Sequence, residues 1–170
     1  LLLEPMPMPM PRVYDKEGPC PACLRPSDVH GDHALCCGSW GERITRHNHL
    51  QDHIHSMAAS AVLNPVKEGQ HLLPGDDRRP ADVLIPNWDQ GRDAALDITI
   101  VHPLQRETVT RAGANPGHAL TYAYDRKMRG AWEACRREGI SFIPIVFESL
   151  GGVHQKAEAE LRKLARAMAS

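Results

Sequence analysis

The sequence predicts a mixed α/β domain, a small mixed sheet with helices on its faces, preceded by a small zinc-stapled module. Three observations carry this. Two strand-like runs, Pro80–Ile85 and Ala94–Val101, flank the turn formers Pro86-Asn87-Trp88-Asp89-Gln90-Gly91, which is a hairpin signature. Behind them, a segment of helical period and the run Phe142-Ile143-Pro144-Ile145-Val146-Phe147 complete a βαβ unit, expected to be parallel and right-handed. Ahead of them, Cys20, Cys23, Cys36 and Cys37 crowd together with His33.

Taken in order, residues 1–19 contain Pro5-Met6-Pro7-Met8-Pro9-Met10-Pro11. Alternating proline blocks helix and ladder alike, so an extended linker is expected. Residues 20–40 form the second segment. A Cys-x2-Cys pair followed by a His and a Cys suits tetrahedral Zn²⁺ in a closed, structural site. Cys20, Cys23 and His33 are the natural first three ligands. The fourth is Cys37 or Cys36, with Cys37 favoured because a His-x3-Cys spacing on a helical turn puts both side chains on one face. His30 and Asp32 are weaker candidates, since Gly31 marks a turn between them.

Residues 41–170 make up the larger domain. Ser39-Trp40-Gly41-Glu42 has the form of a capping box, and Leu50, Ile54, Met57, Ala58 and Ala61 follow at helical spacing until Asn64-Pro65. The polar face of that helix carries Arg46, His47, Asn48, His49, Asp52, His53 and His55. A solvated face is the ordinary explanation, and no HExxH-type Glu accompanies the histidines to make a catalytic zinc site. Val66 to Leu73 reads as a strand, and Pro74-Gly75-Asp76-Asp77 turns the chain.

Each arm of the hairpin then carries one carboxylate among apolar residues. If the loop is centred between Asp89 and Gln90, paired residues sum to 179, and Asp82 faces Asp97. Like charges placed opposite each other destabilise a sheet. A divalent cation held by oxygen ligands removes that penalty. The plainer alternative is an off-centre loop with one Asp at a turn or edge. Leu96, Ile98 and Ile100 share one face of the second arm; Asp97 and Thr99 share the other.

Residues 102–116 read as a loop and 117–137 as a helix, with Leu120, Tyr124, Met128, Trp132 and Cys135 on one face. Ala119, Ala123, Lys127 and Ala131 run beside them at i+4 steps, so Lys127 rises from a row of small residues where a ligand or backbone can come close. Pro144 lacks an N–H, which places its strand at a sheet edge. Past Gly151-Gly152 a last helix carries Val153, Ala157, Leu161, Leu164 and Met168 on one stripe.

Composition sets the outer bounds. A chain of 170 residues with 42% apolar content supports one ordinary domain and a small appendage. The net charge of −1 does not by itself announce a nucleic-acid binder. Residues 104–137, however, hold seven Lys/Arg against three acids, and a local patch can bind phosphate in a neutral protein. No apolar run is long enough to span a membrane. Clustered cysteines point to metal and a reducing, intracellular compartment. Leu1 rather than Met opens the chain, which suggests a piece of a longer polypeptide.

The order of elements, the Pro80/Asp82 signature and Asp97 on the next strand resemble the PD-(D/E)xK restriction-enzyme-like nucleases, with their αβββαβ(α) core. The knuckle, with Gly31-Asp32-His33-Ala34-Leu35 and Cys37, followed by Arg46-His47-Asn48, narrows the resemblance. Together these features are similar to the C-terminal restriction-like endonuclease domain of site-specific non-LTR (LINE) retrotransposons, over about residues 20–165. Thr99 stands where the wider pattern has Lys, and the signature reads Pro-Ala-Asp rather than Pro-Asp. In the retrotransposon branch a Lys on the following helix looks like the substitute, which here is Lys127.

The resemblance implies a metal-dependent DNA endonuclease that nicks a chromosomal target to prime reverse transcription. Asp82, Asp97 and the backbone carbonyl of Ile98 would hold Mg²⁺ or Mn²⁺, with Lys127 at the attacked phosphate. Arg46, His47, Arg126 and Arg129 would contact DNA. Its partners would be target DNA, element RNA and the reverse transcriptase domain of the same polyprotein, in the nucleus. Two other classes stay open: a non-catalytic zinc-containing nucleic-acid-binding module, and a zinc-stapled protein-interaction domain.

Overall fold

The computed structural model describes residues 15–39, 41–69, 72–73, 80–105 and 108–169. Most of the Pro/Met linker, Trp40 of the capping box and the turn at 74–79 lie outside the described residues. The chain divides into two compact units, Leu1–Arg43 and Ile44–Ser170.

The first unit is built on β1 (Gly18–Pro19) and β2 (Pro26–Ser27), a short antiparallel pair, followed by the single-turn helix α1 (Asp32–Cys36). So little regular structure buries almost no apolar surface, and small domains of this kind need another source of stability.

In the second unit α2 (Glu42–Ser60) leads into β3 (Val66–Gly69), β4 (Ala81–Asp89) and β5 (Arg92–Val101). α3 (Val109–Ala114), α4 (His118–Arg137), β6 (Ser141–Glu148) and α5 (Gln155–Met168) follow. The sheet order is β3-β4-β5-β6, antiparallel up to β5 and parallel between β5 and β6. The expected meander and parallel crossover are both present, and β6, with Pro144, is an edge strand. One sheet face packs Val83, Ile85, Leu96 and Ile98 against Ile54 and Ala58 of α2 and Ala157 and Leu164 of α5. The other face meets α4 through Ala119, Leu120, Ala123, Tyr124 and Cys135. Each fully buried aliphatic chain contributes about 1.5–3 kcal/mol, so this unit has a core of its own.

Three expectations need correction. The hairpin loop is not the six-residue stretch 86–91. The strands run on to Asp89↔Arg92, leaving the two-residue turn Gln90-Gly91 with φ of 50° and 78°, the positive pair that a type I′ turn requires. A bulge between Ile85 and Asp89 absorbs the difference, with Asn87 at φ 52° and its N–H held by Asp93 Oδ1 at 3.1 Å. Residues 102–116 are not wholly loop, since α3 lies inside them. β3 ends at Gly69 rather than running to Leu73.

The apolar stripes are also not buried along their whole length. Trp132 and Met168 are both 43% exposed. On α4 the buried face is centred on the alanine row, which lets the helix approach the sheet closely. Trp132 falls outside it and stacks with Arg136, whose guanidinium carbon lies 5.4 Å from the ring centre. Among the described residues no helix is long and apolar enough to cross a membrane.

Candidate functional site

Two sites emerge, one in each unit. In the first, the turn between β1 and β2 presents Cys20 and Cys23. It is closed by Cys20 N–H to Arg25 O and Leu24 N–H to Cys20 O, both 2.8 Å, with Leu24 at φ 61°. α1 carries His33, and Cys37 follows it directly, its N–H bonded to His33 O at 2.7 Å. The start of α1 is tied down by Asp28, whose carboxylate takes the N–H groups of His30, Asp32 and His33 at 2.9–3.1 Å. Burial alone would raise that carboxyl. The amides of His33, Asp32, Asp28 and His30 outweigh it and bring it from 3.8 down to about 2.

The result is that one ligand atom from each of Cys20, Cys23, His33 and Cys37 lies within 4.8 Å of the others. Cys20 Sγ and Cys37 Sγ are 3.9 Å apart, and Cys23 Sγ is 3.1 Å from His33 Nε2. Tetrahedral thiolates on zinc at about 2.3 Å stand roughly 3.8 Å from one another, so the donor set and its spacing fit zinc. The choice between Cys36 and Cys37 falls to Cys37. The backbone N–H and hydroxyl of Ser39 lower the Cys37 thiol from 9.0 to about 6, which favours the thiolate a metal needs. At Cys23 the Arg25 amide pulls down, but burial and the Cys20 and Cys37 sulfurs leave the thiol raised. A metal removes that conflict by binding all three sulfurs as thiolates.

The second site lies on the sheet. Val83↔Leu96, Leu84↔Ala95 and Ile85↔Ala94 all obey the 179 rule, and the paired register given by them ends one residue short of Asp82 and Asp97. Asp97 meets Lys127 of α4, whose Nζ straddles the carboxylate at 3.0 Å from Oδ1 and 2.9 Å from Oδ2. Asp82 Oδ2 accepts the Ile98 N–H at 2.6 Å and lies 3.1 Å from His47 Nε2. The Asp82 backbone carbonyl accepts from Gln51 Nε2 at 2.8 Å.

The charges interact as one cluster. Burial raises the Asp97 carboxyl, the Lys127 charge and hydrogen bond oppose it, and the Asp82 charge adds to the rise while His47 lowers it. The net direction is up from 3.8. Beside Asp97 opens a cleft of ≈ 330 Å³, lined among others by Pro80, Arg126, Lys127 and Gly130.

Of the residues singled out from the sequence, Asp82, Asp97, Lys127 and His47 are thus brought together. His47, expected on phosphate, is on Asp82. Ile98 touches Asp82 through its N–H. Arg126 lines the cleft, whereas Arg129 is exposed elsewhere on α4. Arg46 is half-buried on α2. Gln51 and Asp28 were not anticipated. The signal for Gln51 was its position at i+4 from His47 and i−3 from the apolar Ile54, on the buried side of α2. For Asp28 it was an Asx-turn residue just ahead of Gly31.

No protein-family model matches this chain, and a search of curated proteins gives no match.

Proposed function

We propose that the Ile44–Ser170 unit is a divalent-metal-dependent endodeoxyribonuclease of the restriction-like type, nicking a DNA target for retrotransposon insertion. The single observation behind this reading is the cluster in which Asp82, held by the Ile98 N–H, and Asp97, held by Lys127, lie on adjacent strands near enough for the charge of one to act on the other. Asp82 and Asp97 would hold Mg²⁺ or Mn²⁺, hard cations that take carboxylate oxygens and keep several waters. The ion would supply an acidified water and charge stabilisation at phosphorus. Lys127, beside Asp97, would neutralise the attacked phosphate, and Arg126 at the cleft wall would position the strand. The Cys₃His module docks nucleic acid. In this reading the partners are target DNA, element RNA and a reverse transcriptase domain of the same polyprotein, in the nucleus.

A second reading is favoured by the same geometry: each carboxylate already has protein donors, as a structural ion-pair network would. The protein would then be a non-catalytic nucleic-acid-binding module. Nicking of supercoiled plasmid decides between them. The nuclease reading expects nicking that needs Mg²⁺ or Mn²⁺ and falls at least about 100-fold in Asp82→Ala and Asp97→Ala. Salt-sensitive DNA binding with no cleavage under either metal supports the module.

A further inference from the structure

We infer that the His47–Gln51 pair of α2 is a positioning device for Asp82, setting how tightly the carboxylate cleft holds a divalent cation. The inference rests on the reading of that cleft as a metal site and deepens it. Two contacts converge on one oxygen: the Ile98 N–H at 2.6 Å and His47 Nε2 at 3.1 Å both meet Asp82 Oδ2. These contacts fix one carboxylate oxygen of Asp82, Oδ2, together with its backbone carbonyl.

The same helix holds the main chain. Gln51, only 6% exposed, donates to the Asp82 carbonyl at 2.8 Å. His47 and Gln51 are one turn apart, so a single helix face grips both the side chain and the backbone of one residue. The stripe continues into Ile54 and Ala58, 2% and 0% exposed, which seat α2 on the sheet. Core packing thereby fixes the helix, the helix fixes Asp82, and the carboxylate is presented with little freedom left to lose on binding an ion. Partners of this kind, outside the ligand set itself, typically govern 10–100-fold in metal affinity.

The test is Mn²⁺ binding to the zinc-loaded protein, followed by electron paramagnetic resonance, in which zinc is silent. Wild type should bind Mn²⁺ and Asp82→Ala should not. His47→Ala, measured well below its own metal-free thermal midpoint, should bind about 10–100-fold more weakly, and His47→Gln, which keeps an N–H donor, should recover part of the loss. In a nicking assay His47→Ala should need correspondingly more Mg²⁺ for half-maximal rate while keeping most of the rate at saturation. His47→Ala that binds Mn²⁺ like wild type overturns the inference, and so does wild type that binds none. Tight Mn²⁺ binding weakened by His47→Ala, with no DNA cut, keeps the inference and removes the nuclease reading.

Discussion

The knuckle and the carboxylate cleft are both sets of ligand-type side chains brought close, but they are held together by different forces. In the knuckle four soft donors converge from residues 20–37, tied by a short hairpin and one helical turn. A bound metal would neutralise the three crowded sulfurs there. At the sheet site, Asp82 and Asp97 arrive on strands with a packed core beneath them, Asp97 lining the cleft, and Lys127, His47 and the Ile98 amide already contact them. An ion bound where there is no core would supply structure; an ion bound to a site mounted on a core would not be needed for folding.

The largest expected effect follows directly. Structural zinc in small modules supplies about 10–16 kcal/mol of apparent binding energy that is also folding energy. Zinc chelation, or Cys20→Ser, should therefore abolish amide-exchange protection across 18–37 while β4 and β5 keep theirs. Loss of protection in both units together would break the comparison.

The same contrast explains what could be read in advance. Knuckle ligands sit close in sequence, so spacing and donor chemistry suffice to find them. The register of the strands beside the two acids was also legible, though for the wrong reason. A turn at Gln90-Gly91 alone gives a sum of 181, and the bulge between Ile85 and Asp89 brings it back to 179 from Ile85 to Val83. Neither bulge nor turn was anticipated, and the two errors cancelled. Pro144 identified its edge through a missing donor, which is local information. What could not be read depended on tertiary placement. The rotation of α4 about its axis exposed Trp132, and the polar end of the α2 stripe buried Gln51 against a strand carbonyl.

A smaller effect separates the cleft's protein partners from any ion. Breaking a buried pair costs about 3–5 kcal/mol, but Lys127 is 34% exposed, so solvent screening reduces the expected cost of Lys127→Met to about 1–3 kcal/mol. Adding Asp97→Asn should restore most of it, because the stranded charge is gone. The pH dependence has a definite sign. Burial holds Asp97 above 3.8, so the folded protein binds this proton more tightly than the unfolded chain. That contribution is complete below 3.8 and is lost as pH rises through the folded value. Denaturant midpoints should therefore show the Lys127→Met deficit largest at neutral pH and shrinking in acid.

In the knuckle, Asp28 plays the part that the core plays in the cleft. Asp28→Ala removes the acceptor for three amides at the start of α1. A lost cap costs about 1 kcal/mol, which corresponds to zinc bound about fivefold more weakly. Because this carboxyl is lowered to about 2, its support is complete above the ordinary carboxylate value and fades only as pH falls through about 2. The difference in zinc affinity between wild type and Asp28→Ala should accordingly stay constant from neutral pH down to mild acid.

The smallest effects ask which unit meets phosphate. A lysine or arginine that neutralises one phosphate contributes about one unit to the slope of log affinity against log salt. Arg126 lines the cleft, and Arg25 is exposed on the turn that carries Cys20 and Cys23. If DNA enters the cleft while the knuckle docks it, Arg126→Ala and Arg25→Ala should each lower the slope by about one. Arg129→Ala should change it less, since two residues turn α4 by about 200° away from Lys127. A slope that responds to Arg25 and Arg129 but not Arg126 would put the strand on the knuckle and the outer face of α4. The carboxylates would then stand beside the nucleic acid without ever facing its backbone.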